Sequence, residues 1–175
     1  MPVRGDAGLT QRLLLRGTGF AGLVTAAGGG LVLTGVLCPW YAVVAEVSML
    51  GGDSSQIVAT LPGFPATPGG WIAGGLGVFV TMLGALIAFD RPPLRGRQLA
   101  RYAGVLLLAV ATVSLAWVPE LTDIAAGTTA ELLDTADQLP VGVELELHAT
   151  AASGPWWVMA GAATVVVGAF SARAG

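Results

Sequence analysis

GTGFAGLVTAAGGGLVLTGVLCPW, the stretch from Gly17 to Trp40, contains no charged side chain. A helix rises about 1.5 Å per residue, so about 20 such residues cross the roughly 30 Å of hydrocarbon in a bilayer. A helix on the surface of a soluble bundle would keep one polar face, and this stretch has none. Three further stretches repeat the pattern: Trp71 to Phe89, Tyr102 to Pro119 and Gly154 to Ala172. The expected fold class is an all-α membrane protein, a four-transmembrane-helix bundle. The spans are placed at 17–40, 71–89, 102–119 and 154–172. Cys38 follows Leu37 rather than a small residue, which argues against a lipid-modified cysteine, and the first apolar stretch is longer than the core of a cleaved signal. An uncleaved first span is expected.

Composition agrees. Of 175 residues, 54% are hydrophobic and 11% charged, and the mean hydropathy is +0.76. Such a chain is too apolar for a disordered segment, and its net charge of −3 argues against a nucleic-acid partner, which would call for a basic stripe. The single cysteine, Cys38, excludes an intramolecular disulfide.

Charge placement gives the direction of crossing. All eight basic residues are arginines. Arg4, Arg12 and Arg16 fall in the tail 1–16, Arg91, Arg95, Arg97 and Arg101 in the loop 90–101, and Arg173 in the tail 173–175. The intervening stretches 41–70 and 120–153 hold no arginine and nine of the eleven acids. The positive-inside rule then puts both termini in the cytoplasm of a multi-pass plasma (inner) membrane protein. Trp40, Tyr41, Trp71, Trp117, Trp156 and Trp157 fall at the outer ends of the spans and are expected to act as membrane-interface anchors. Small residues recur every four positions (Gly22, Ala26, Gly30; Gly70, Gly74; Ala160, Thr164, Gly168), the spacing that lets helix backbones approach in lipid.

The two outer stretches are patterned. Tyr41 to Leu50 is rich in β-formers, 51–55 is a turn cluster, and Gln56 to Leu61 resumes the extended pattern, so a β-hairpin is predicted. Thr67-Pro68 offers an N-cap and first-turn proline for the next helix. From Glu120 to Gln138, apolar residues such as Leu121, Ile124 and Leu132 recur at helical spacing beside Glu120, Asp123, Glu131 and Asp134, predicting an amphipathic helix. After Pro140, Val141 to His148 alternates strictly, with Glu144, Glu146 and His148 on one face. That strand is expected to join the hairpin in a small extracytoplasmic sheet, which with the amphipathic helix would cap the bundle.

Chemistry is scarce. No ionisable group lies inside a span, and Thr25, Thr34, Thr81, Thr112, Ser114 and Thr164 are expected to bond their own helix backbones. Glu144, Glu146 and His148 hold metal-ligand types on one strand face, but a lone histidine without a cysteine pair is thin beside known zinc patterns. Ser153 has only His148 as a base and lacks a nucleophile elbow. No catalytic, cofactor or metal residue is assigned, and no enzyme activity is expected.

The motifs Cys38-Pro39-Trp40-Tyr41, leaving the first span, and Gly154-Pro155-Trp156-Trp157, entering the fourth, make the chain resemble the actinobacterial tryptophan-associated transmembrane proteins. The resemblance implies a small four-span protein with aromatic clusters at the span ends, and no settled activity. The plan also resembles the claudin arrangement, without its paired loop cysteines.

The expected function is a non-enzymatic integral membrane protein whose outer cap mediates protein–protein contact or assembly in the cell envelope. Its partners would be the lipid bilayer and another membrane or envelope protein, or a second copy. The candidate interaction surface is Glu46, Asp53, Glu131, Asp134, Asp137, Glu144, Glu146 and His148. A small-solute permeation or export component is the alternative.

Overall fold

The computed structural model describes residues 17–49, 52–89, 95–118 and 144–171. They form, in chain order, α1 (Gly17–Leu37), β1 (Pro39–Met49), β2 (Gly52–Pro62), α2 (Pro68–Ala88), α3 (Gly96–Ala116), β3 (Glu144–Ala151) and α4 (Gly154–Ser171). All four helices are long and apolar enough to cross a membrane, by length and composition. Both tails, 1–16 and 172–175, and the stretch 119–143, which contains the expected amphipathic helix, lie outside the described residues.

The helices differ from the apolar stretches in instructive ways. α1 stops at Leu37 because Pro39 has no N–H and bars Cys38 from helical torsions, so Pro39 and Trp40 belong to β1. α2 starts at Pro68: the Thr67 hydroxyl accepts from the Gly70 N–H at 3.0 Å, the cap expected from Thr67-Pro68. α3 begins at Gly96 rather than Tyr102, so Arg97 and Arg101 sit on its first turns rather than in a loop.

α1 is the central helix, packed along α2 on one side and α4 on the other, while α3 rests on α4 and touches α2 only lightly. The contacts run through glycines seven residues apart. Gly22 and Gly29 of α1 face Gly84 and Gly77 of α2, while Gly28 and Gly35 face Gly161 and Gly154 of α4. At the crossing of α1 and α4, a Cβ on Gly161 would stand 2.6 Å from the Gly28 carbonyl oxygen, so backbone lies directly on backbone. A seven-residue repeat keeps one face in register along two helices crossing at a shallow left-handed angle. The expected four-residue rows capture this only partly: Gly30 has no atom within 4 Å of where a Cβ would stand.

Val32, Val80, Leu107, Val158 and Val165 are completely buried along the bundle axis. Phe20, Leu23, Phe79, Met82, Leu106 and Val167 point outward and are exposed. Small side chains thus face helices and many large apolar ones face out, an arrangement that favours an apolar surrounding over water.

The three strands form an antiparallel sheet in the order β2-β1-β3 at the bundle end where α1 and α3 finish and α2 and α4 start. The expected three-stranded pairing is present, with two changes of extent. β2 begins at Gly52, so 52–55 of the expected turn cluster are strand, and β3 continues to Ala151.

Candidate functional site

Trp40 joins sheet to bundle. Pro39 pairs with Pro62 and Tyr41 with Leu61, which leaves Trp40 as an extra residue on β1, a bulge. A bulge re-aims a side chain, and here it lets Trp40 and Tyr41, neighbours in sequence, both be buried. The Trp40 indole N–H donates to the Gly35 carbonyl at 3.0 Å, and the ring lies against Gly63, Gly69 and Gly154. The end of α1 is completed by the turn after β2, whose Phe64 N–H donates to the Val36 carbonyl at 3.0 Å, while the Ala152 N–H donates to the Trp40 carbonyl at 2.8 Å. Trp40 and Tyr41 are therefore interior residues rather than interface anchors. Among the expected anchors, Trp71, Trp117, Trp156 and Trp157 are exposed, and Trp71 is steadied by an indole bond to the Pro65 carbonyl and an edge contact with Phe64.

The sheet has two unlike faces. Tyr41, Val43 and Ala45 are buried, and Ala59, Leu61, Leu147 and Ala149 pack against the same core. The opposite face carries Glu46 directly across from Glu146, with His148 Nε2 3.8 Å from a Glu46 carboxylate oxygen. Asp53 and Glu144 pair in register with Ser48, two residues along β1 from Glu46. The structure thus brings Glu46, Glu146 and His148 together and places Asp53 and Glu144 in the adjoining row. Glu131, Asp134 and Asp137 fall outside the described residues. Like charges directly opposed across strands destabilise a pair by some tenths of a kcal/mol, and His148 lies where, when protonated, it offsets part of that cost.

Each of the six hydroxyls expected to satisfy itself locally does so: Thr25, Thr34, Thr81, Thr112, Ser114 and Thr164 donate to the carbonyl four residues earlier, at 2.8 to 3.1 Å. Among the described residues no three His, Cys, Asp or Glu side chains gather closely enough to hold a metal ion. At the far end of the bundle, the Arg101 guanidinium donates twice to the Ala169 carbonyl, at 3.3 and 3.1 Å, and lies 4.3 Å from the centre of the Phe170 ring. It ties α3 to an orphan carbonyl of the last turn of α4. The sequence pattern marked Arg101 only as a loop charge, and the neighbouring helix end that it meets is distant in the chain.

Between the start of α2 and the end of α3 an apolar groove of about 560 Å³ runs beneath the sheet, lined by Pro68, Gly69, Ile72, Ala109, Val113 and Trp117 among others. Tyr41 is part of this lining, its hydroxyl donating to the Ser114 carbonyl at 3.2 Å. Burial pushes the Tyr41 phenol above its ordinary 10.0, the Ser114 side chain offsetting part of the rise. The folded chain then keeps a proton that the unfolded chain releases above pH 10, so stability present below pH 10 declines as pH rises through the folded value. Tyr41→Phe is expected to cost about 0.5–1.5 kcal/mol at neutral pH and to flatten that alkaline decline. Detergent-solubilised protein unfolded at a series of pH values tests both. An equally steep decline in the variant would assign the titration to another group.

No family model, curated protein or solved structure matches the chain.

Proposed function

We propose that the chain is a non-enzymatic, multi-pass protein of the plasma membrane, with both termini cytoplasmic, whose outer sheet face is a docking surface for a basic patch on another envelope protein or on a second copy. The observation that carries this reading is the outward face of the sheet, where Glu46 and Glu146 are held opposite one another beside His148, at a local cost in repulsion. A cationic partner would relieve that repulsion, and complementary charge steers such encounters. The described arginines, Arg95, Arg97 and Arg101, belong to the opposite end of the bundle, which supports the assigned direction of crossing. The resemblance to the tryptophan-associated transmembrane proteins, carried by 38–41 and 154–157, supports the four-span plan. Val32, Val80, Leu107, Val158 and Val165 are completely buried between the helices, and a closely packed interior favours docking over permeation.

Direction is tested by Ser54→Cys and Asp137→Cys in a Cys38→Ala background, with an impermeant thiol reagent on intact cells. Both sites are expected to label, and protection of both would reverse the orientation. Docking is tested by a photo-cross-linking residue at Ser55, in the Glu46 row. One discrete adduct is expected, and it should disappear in the Glu46→Arg/Glu146→Arg double variant. An undiminished adduct in that variant removes the docking surface.

A further inference from the structure

We propose that the groove between α2 and α3 holds an acyl chain of a phospholipid from the sheet-side leaflet. The proposal rests on the membrane-spanning reading above and adds a lipid site to it. The groove lies where the bundle is least tightly closed, since α3 packs on α4 and only lightly on α2. Its walls are apolar, and the two hydroxyls beside them are engaged: Tyr41 donates to the Ser114 carbonyl and Ser114 to the Val110 carbonyl. Water needs two to four polar partners to occupy such a space, so hydrocarbon is the better filling.

Shape and continuity select the form of that hydrocarbon. Ile72, Val113 and Trp117 stand at the mouth, 50%, 59% and 77% exposed, and continue the outward apolar surface of the helices. The interior of the groove is thus continuous with the surface that would meet lipid tails. A second helix would need small residues at both lips to approach closely, and α2 presents Ile72 at its lip. Gly69 and the exposed Ala109 are small members of the lining and leave a slot suited to a flexible chain. From Ala109 to the end of α3 at Ala116 the helix rises about 10 Å, within the depth of one leaflet. At the sheet, the Tyr41 hydroxyl ties the lining of the groove to the Ser114 carbonyl of α3.

The probe is a phospholipid carrying a nitroxide on its acyl chain, at low mole fraction in vesicles of phosphatidylethanolamine and phosphatidylglycerol containing the full chain. Wild type is expected to show a motionally restricted spectral component that is reduced in Ala109→Phe, which fills the slot from α3, and in Ile72→Trp, which fills it from α2. Circular dichroism identifies any variant that has lost its fold, and the two walls provide independent variants. Equal restricted components in wild type and a folded variant would overturn the proposal, leaving the groove to a second copy or to another part of the chain. Co-flotation of protein with vesicles is scored in the same samples. Failure to float would sink the membrane-spanning reading itself, whereas flotation without the variant-sensitive component sinks only the lipid site.

Discussion

Trp40→Ala is expected to lower the stability of the fold by about 3–5 kcal/mol, the range for removing a large aromatic side chain from a packed core. The ring is completely buried where α1, β1, the turn after β2 and the start of α4 meet. Three of its neighbours, Gly63, Gly69 and Gly154, have no side chain to move into the space. The truncation also strips the Gly35 carbonyl of the indole N–H, at the end of a helix where carbonyls lack helical partners. Trp40→Phe should fall between, keeping most of the volume but leaving that acceptor unpaired, at a cost of about 1–3 kcal/mol. Unfolding in mixed micelles against increasing denaturing detergent, followed by circular dichroism, measures both. If Trp40→Ala unfolds within about 0.5 kcal/mol of wild type, as surface changes do, Trp40 does not join sheet to bundle.

The second large effect is expected at the crossing of α1 and α4. Adding side chains to a close-packed interior costs typically about 1–3 kcal/mol, and Gly161→Val should lie at or above the top of that range. The reason is what the new atoms meet: the Gly28 carbonyl oxygen at 2.6 Å and the Val32 amide nitrogen at 2.8 Å, neither of which can swing aside as a side chain can. α4 would have to back away from α1, loosening the neighbouring contacts at Gly35 and Gly168. Gly30→Ala and Gly75→Ala are the internal controls, because nothing lies within 4 Å of where their Cβ would stand. Freed of any clash, they should be neutral or gain about 0.5–1 kcal/mol from reduced chain entropy. The same unfolding titration ranks all three. Equal losses at Gly161 and Gly30 would mean that glycine at the crossing is not a packing requirement.

The four helices could be read from hydropathy because apolar length is a local property. The hairpin and the strand near His148 could be read because alternation is local too, and the Thr67-Pro68 cap because its partners lie within one turn. Trp40 was legible as an aromatic at a span end but not as a buried one. Its burial follows from a bulge in the pairing of β1 with β2 and from glycines at 63, 69 and 154, none of which a window around residue 40 contains. The small-residue rows were legible in part: Gly22 and Ala26, four apart, both meet Gly84, whereas 77 and 84 on α2 and 154, 161 and 168 on α4 repeat at seven. The Glu46–Glu146 pairing depends on strand register between segments a hundred residues apart. The groove arises from a looser fit of α3 against α2, which no single segment encodes.

The order β2-β1-β3 also gives the sheet a place in time. β1 and β2 are neighbours in the chain and can pair as soon as both are made, whereas β3 precedes α4, the last helix in sequence order. Until then β1 has an open edge, and α1 presents Gly28 and Gly35 without the helix they fit. Unpaired strand edges and uncovered apolar surfaces are features by which incomplete chains aggregate or are retained by chaperones. Closure of the third strand therefore waits for the segment that leads directly into α4. On the proposed docking reading, Glu146 and His148 join Glu46 only once β3 has paired with β1, so a partner that requires both strands would bind only chains whose sheet is complete.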